Sequence, residues 1–473
     1  MHIFDDGPTC FRLKIVMSIL SNRPIRICNI RNRSKCPGVT DYEVNFLQLI
    51  NLLSNGAVIN INDTGCVVNF SPGSLIGGEH IFDCSNERGL GYFLEPLLIL
   101  SPFTKTYLSL KLTGVTNNSI DPSVDIISQT WLPLLKKFLP PASSSSLKLE
   151  IKKRGIAPKG GGLVVLSSKP AQQISPIQLV SSGKVYRVRG VAWTCRVSPA
   201  IASQLMHGAK GLLNSFLSDV YINLDQRKRE VAGECSGFGI VLWAETKEGI
   251  FYSAEATSDP EGSKQSQPVI PTELGNKAAS HLLNQVFLEI IVALVLILLS
   301  FVIINCPLRC AKNSSCFLPP FVLVFILYLV HLLAPTEYVR SSKVKSMASF
   351  FDMLWKLMIY LGGCVDQSAQ AAALTMMALE GGHNASQLLI SAPTPYTVSS
   401  LRLIRQCLGV SPIVLPFLAF IPVPFCRREK VTFDLAYKEM EESAQENGSE
   451  MTPPPLIATC FGSGLKNVNL SIL

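Results

Sequence analysis

The residues of this chain best suited to chemistry form one string, Arg154-Gly155-Ile156-Ala157-Pro158-Lys159-Gly160-Gly161-Gly162. Three consecutive glycines carry no Cβ. The backbone there can take φ > 0 and come close to another backbone or to a phosphate. Lys152, Lys153, Arg154 and Lys159 gather positive charge around the turn, so the chemistry suggested is anion binding. Leu147, Leu149 and Ile151 precede it and Leu163 to Leu166 follow, which predicts strand, glycine turn, strand. A Walker phosphate loop is excluded: no Gly-Lys-Ser/Thr follows and no helix pattern begins there. For the glycine run by itself, a tight hairpin with solvated lysines is the simpler reading.

Other candidate anion-binding residues are Arg12, Arg31, Arg33 and Lys35 in amino-terminal turns, and Arg402 and Arg405. The last two are three apart on a predicted helix, Val398–Leu408, and so share a face. A phosphate, a sulfate or an RNA backbone could follow this charge; separately solvated surface cations are the alternative. Asp225-Gln226-Arg227-Lys228-Arg229-Glu230 reads as a charged, solvated turn. His207, on a predicted helix Ile201–Leu217, reads as structural. Asp121 and Asp125, around Pro122-Ser123, read as a helix cap rather than an acid/base pair. No Ser/His/Asp set or metal cluster stands out. The 14 cysteines include no CxxC pair, and Cys306, Cys310 and Cys316 lie in an apolar region without a fourth ligand, which argues against zinc. No cofactor is expected.

These residues need elements to position them. A chain of 473 residues has room for two or three domains. A net charge of +8 suits an anionic partner, nucleic acid or membrane surface, without choosing between them. No secretory leader is apparent at Met1–Asp6, so the thiols are expected to be free in a reducing compartment. Ile25–Ile30 and Ala57–Ile61 read as strands, Tyr42–Leu53 and Ile126–Phe138 as helices, and Ala142–Ser146 as a loop. Such alternation predicts an α/β fold with helices packed on sheets. Between Val185 and Val286, Tyr186–Ala192 and Gly239–Glu245 read as strands and Thr257–Pro271 as a polar loop.

The pattern then changes. Ile290–Ile304 holds no charged residue, and Phe317–Ala334 is a second uncharged run. Each approaches the length needed to cross a bilayer. Arg309 and Lys312 lie between them and Arg340, Lys343 and Lys345 follow, so charge gives no orientation. The residues alone predict a transmembrane hairpin, and with it a membrane partner. Glu439–Pro455 reads as a disordered acidic and proline-rich loop.

The nine-residue string resembles the signature of the RNA 3′-terminal phosphate cyclase family, Arg-Gly-x-x-Pro-x-Gly-Gly-Gly. Further blocks resemble that family, and within it the cyclase-like branch of ribosome assembly: Ile30-Arg31 with Pro37-Gly38, Gly89–Pro96, Gly114–Asp125, Arg196-Val197-Ser198-Pro199, Gly237-Phe238-Gly239, Gly362–Asp366 and Thr394–Thr397. They fall in family order over about residues 11–286 and 361–410. The resemblance implies a large domain of three similar α/β units, with the first two in 1–184 and the third in 361–473, and a smaller inserted α/β domain at 185–286. Residues 287–360 have no family counterpart, so a translated intron stands beside the transmembrane hairpin as their explanation.

The resemblance also bears on activity. Cyclases take up a nucleotide on a histidine; the matching position here is Tyr396. A phenol with a pKa near 10 replaces an imidazole that titrates near neutrality. At the front of the site only Gly7 and Arg12 match the cyclase glycine run, and Tyr42-Glu43 replaces Gln-His, placing Glu43 where nucleotide phosphates would sit. The branch therefore implies a pseudoenzyme: a nucleolar factor in small-subunit (18S) rRNA precursor processing, binding a ribosome-assembly GTPase, the U3 small nucleolar ribonucleoprotein and pre-rRNA. An endoribonuclease that cuts pre-rRNA, and a membrane-anchored protein of cyclase fold, are the alternatives.

Overall fold

The computed structural model describes residues 1–228, 231–258, 269–286, 363–381, 384–409, 413–416 and 456–470. They belong to one unit, Met1–Val286 with Gly362–Leu473. Phe287–Leu361, which contains both apolar runs, lies outside the described residues, as does the acidic and proline-rich stretch 439–455.

One pattern occurs three times. In its first copy β1 (His2–Phe4) leads through α1 (Phe11–Ser21) to β2 (Ile25–Ile27), and α2 (Asp41–Leu53) leads on to β3 (Ser54–Asn55), β4 (Val58–Ile61), β5 (Val68–Ser71) and β6 (Ser74–Leu75). β3 and β6 form a separate small ribbon. The second copy runs β7 (Gly78–Asp83), α3 (Leu90–Leu100), β8 (Leu108–Gly114), α4, α5 (Pro141–Ser146), β9 (Lys148–Lys153) and β10 (Gly162–Ser168). Here α4 joins Val124–Ile126, a π-turn Ile127–Trp131 and Leu132–Lys137. The third copy begins with β11 (Gln178–Leu179). An inserted domain follows: β12 (Val185–Cys195), α6 (Pro199–Leu213), β13 (Val220–Arg227), β14 (Gly237–Thr246), β15 (Phe251–Thr257) and a helix α7 over 271–286. The copy resumes with α8 (Gln370–Leu379), β16 (Ser386–Ile390), α9 (Pro395–Leu408), β17 (Ile413–Pro416) and β18 (Leu456–Cys460).

The sheet orders are β1-β2-β5-β4, β7-β8-β10-β9 and β11-β16-β18-β17. Each places its strands first-second-fourth-third. The first two are parallel across a crossover helix, and the others are antiparallel. The inserted sheet, β13-β12-β14-β15, has another order and is not a fourth copy. It enters the chain within the crossover from β11 to β16.

Helices from different copies pack together: α1 on α3 and α9, and α8 on α3 and α9. Every residue of α3 and α8 is buried, which is why both are apolar all round rather than amphipathic. Two predicted elements are corrected. Ala142–Ser146 is the helix α5, started by Pro141 at its first turn. The first predicted strand ends at Ile27, because Asn29 and Arg31 take left-handed backbone conformations (φ 61° and 48°) that turn the chain.

Candidate functional site

The three copies meet at Glu95. This carboxylate stands on buried α3, where Pro96 interrupts the helical ladder. Proline has no N–H to give the carbonyl four residues back. That carbonyl belongs to Tyr92, and the Arg12 guanidinium of α1 donates to it instead. The other Arg12 nitrogen lies 2.8 Å from Glu95 Oε2. From the third copy, the Tyr396 hydroxyl donates to Glu95 Oε1 at 3.0 Å. Tyr396 sits in the first turn of α9, after Pro395 and the Thr394 cap, whose Oγ1 accepts from Thr397 N at 3.1 Å. Burial opposes charge on Arg12, but Glu95 together with Tyr396, Tyr92 and Asp121 outweighs it and holds the guanidinium above its usual range. Burial and Glu95 both push Tyr396 well above the usual phenol range, so it is a neutral hydroxyl at physiological pH. Tyr396 is thus a packed, buried tyrosine whose hydroxyl partner is this carboxylate. Cys10 Sγ lies 4.0 Å from Ser400 Oγ, and burial pushes that thiol up to about 11.

Tyr92 and Tyr42 meet edge to face at 5.3 Å. The Arg12 guanidinium lies 4.1 Å from the Tyr92 ring centre and that of Arg88 4.6 Å. Sequence reasoning missed Arg88; its signal was its place just before the Gly89-Leu90-Gly91 block. It is held by Asp121, whose Oδ2 accepts from Arg88 Nε at 2.9 Å. Arg31 binds Glu43 through two nitrogens, at 2.7 and 2.6 Å, and Glu43 Oε2 also accepts from Thr40 N at 2.9 Å in a capping box for α2. The Glu43 charge is thus neutralised in place and starts a helix. Arg12, Arg31 and Arg88 each hold one carboxylate, so this corner is cationic only in balance with Glu95, Glu43 and Asp121. Arg33 and Lys35 are exposed beyond it and form no ion pair among the described residues.

The glycine string has another role. Arg154 is buried and donates to Asp125 twice, at 2.7 and 2.8 Å, to Asn117 Oδ1 at 3.1 Å and to Asp225 Oδ2 at 2.8 Å. It ties the second copy to the inserted domain. Burial works against its charge, yet Asp125 and Asp225 hold it above its usual range; the same guanidinium outweighs burial at Asp125 and lowers that carboxyl. Neither Asp121 nor Asp125 is the cap: Ser123 is, with Oγ accepting from Ile126 N. Gly160 and Gly161 take φ of 64° and 76°. A Cβ on Gly155 would lie 2.1 Å from Gly162 N, and one on Gly233 2.2 Å from Gly160 O. The glycines let the loop press against itself and against the inserted domain. Lys159 remains exposed, 3.6 Å from Glu234.

Arg402 and Arg405 both lie on the exposed face of α9, as their spacing predicted. His207 is exposed on α6 rather than buried. Asp225 to Arg227 end strand β13 instead of forming a turn, with Asp225 shared between Arg154 and Arg227. The structure therefore gathers Arg12, Arg31 and Tyr396 around one corner, and gives Arg154 and the glycine loop a separate set of partners.

The family model described as RNA 3′-terminal phosphate cyclase matches residues 3–414. The chain belongs to the RNA 3′-terminal phosphate cyclase family. A human RNA 3′-terminal phosphate cyclase-like protein is 36% identical over 400 residues, 85% of this chain and 86% of the relative. The mouse protein of the same description is 43% identical over 281 residues, covering 59% and 74%. The rRNA processing protein rcl1 of Schizosaccharomyces pombe is 44% identical over 243 residues, covering 51% and 66%. The mixed α/β architecture is consistent with the fold of this family. Among the described residues no helix is long and apolar enough to cross a membrane; the predicted hairpin, 290–334, lies outside them. Among the same residues no group of His, Cys, Asp or Glu is arranged to hold a metal.

Proposed function

We propose that this cyclase-family chain is a non-cyclase factor of rRNA processing, with the fold kept as a platform for protein and RNA. The observation that carries the reading is the Tyr396–Glu95–Arg12 network. Nucleotide uptake needs a group that attacks phosphorus near neutral pH. Tyr396 offers a hydroxyl whose proton is held by burial and by a carboxylate already paired with Arg12. The resemblance to proteins described as cyclase-like, one of them as an rRNA processing protein, supports the substrate class. We place the chain, as part of the same proposal, in nucleolar maturation of the small-subunit precursor, with a ribosome-assembly GTPase and the U3 ribonucleoprotein as partners.

Two experiments test this. Incubation with labelled ATP and a 3′-phosphorylated oligonucleotide is expected to give neither a protein–nucleotide adduct nor a cyclic phosphate; an adduct on this chain would end the pseudoenzyme reading. Crosslinking the tagged protein in cells and sequencing the attached RNA is expected to enrich the small-subunit precursor over total RNA. Equal recovery of all transcripts would remove the rRNA-processing assignment.

A further inference from the structure

The Arg196-Val197-Ser198-Pro199 block and the Asp225–Lys228 run are unused by the network above, yet the fold brings them together. β12, α6 and β13 form a parallel crossover. In such a unit the carboxyl ends of both strands and the amino end of the helix share one rim, where ligands of open α/β sheets bind. α6 is 15 residues long, is capped by Ser198 with Pro199 in its first turn, and has no acidic residue there. Its amino end is a partly positive pole.

The side chains at this rim are cationic. Arg196 is exposed between β12 and α6 and donates from Nε to Gly233 O at 2.6 Å; its backbone N–H bonds Arg227 O at 3.3 Å. Lys228 is exposed just past β13. Asp225 offsets Arg227, at 2.6 Å, and Asp125 offsets Arg154. Arg196 and Lys228 meet no carboxylate among the described residues, which leaves two positive charges.

A second observation is independent of helix and charge. Thr194 and Gln226 face each other in the parallel register, one step before the strands end. Both carry a buried polar atom with no hydrogen-bond partner among the described residues, Thr194 Oγ1 and Gln226 Nε2. Thr194 is 0% exposed. Both alternate in step with buried Ala192 and Ile222, on the face against which α6 packs, at the carboxyl ends of the two strands. Buried donors without partners are rare and call for an explanation.

We propose that this rim of the inserted domain is a binding site for a phosphate-bearing ligand, held by Arg196, Lys228, Gln226, Thr194 and the amino end of α6. Phosphate offers acceptor oxygens to two unspent donors and a negative charge to two unpaired cations.

Calorimetric titration of the full chain at low ionic strength tests it, with inorganic phosphate in one arm and a short single-stranded RNA in the other. Phosphate is expected to bind with millimolar affinity. Arg196→Ala with Lys228→Ala is expected to weaken it at least about tenfold, while Lys105→Ala with Lys111→Ala, at exposed positions of the second copy, leaves it unchanged. Thr194→Val is expected to weaken binding a few-fold and to leave Tm equal or higher, since a methyl replaces an unbonded hydroxyl. If RNA is the source of the phosphate, the oligonucleotide binds more tightly than phosphate and loses affinity in the same variants. If a small phosphorylated ligand is the source, the oligonucleotide gains nothing over phosphate. No binding by the wild-type chain, or binding unchanged in both rim variants, overturns the proposal. The adenylation assay above is a separate readout, so either reading can fail alone.

Discussion

Glu255 lies on β15, where the inserted domain meets the second copy. Its Oε1 accepts from Ser123 N at 3.2 Å, and its Oε2 is out of contact with solvent and has no partner. Burial pushes its carboxyl up from 4.5 to about 8; the Ser123 hydrogen bonds oppose the rise, and the nearby Asp125 and Asp366 add to it. Between those values the folded chain holds a proton that the unfolded chain has released. Stability therefore falls as pH rises through this window, by about 1.4 kcal/mol per pH unit at most, and levels off above about 8. The whole loss is on the order of 4–5 kcal/mol. Glu255→Gln keeps the shape of the protonated acid and cannot ionise. Urea unfolding of both proteins at pH 5, 7 and 9 is the assay. At pH 5 the two are expected to be of similar stability. At pH 9 the variant is expected to be more stable by several kcal/mol. Asp121, lowered by Arg88, titrates in both proteins and cancels in the difference; Asp125 and Asp366 face Glu255, so the part of their titration that depends on its charge belongs to the same difference. A difference that stays constant from pH 5 to 9 would refute the reasoning.

Three further outcomes are expected. Arg154→Met leaves Asp125 buried without its cation and should cost about 3–5 kcal/mol in urea unfolding, with Asp125→Asn in the same chain recovering part of it. Gly160→Ala places a Cβ 2.1 Å from Asn86 Oδ1 at a φ of 64°; a loss of about 1–3 kcal/mol is expected, of which Asn86→Ala restores only the part due to the clash. Tyr396→Phe removes the bond to Glu95 and should cost about 1–2 kcal/mol by thermal unfolding, and Tyr396→His, assayed with labelled ATP, is expected to form no adduct, because Glu95 and Arg12 stay paired around it.

Much of the fold was legible because its signals are local. Tyr42 to Leu53 carry helical spacing with a Thr40/Glu43 box at their start, and the apolar run from Leu163 to Leu166, with its β-branched valines, marks a strand on its own. Arg402 and Arg405 share a face because three residues nearly complete a helical turn. α5 was less legible: four serines disguise a helix whose start depends on Pro141. The glycine string was recognised, but its purpose was not. Nothing within nine residues says that Gly233, over seventy positions away, must lie against Gly160.

Sequence by itself determined that residue 396 is a tyrosine, that glycines line one turn, and that an apolar stretch interrupts the later part of the chain. Residue types and short spacings carry those facts. Tertiary structure alone decided which arginines are spent. Arg154 and Arg31 look like available cations in a string of letters; Asp125 and Glu43 claim them because distant segments pack together, and a buried charge must find its counter-ion there.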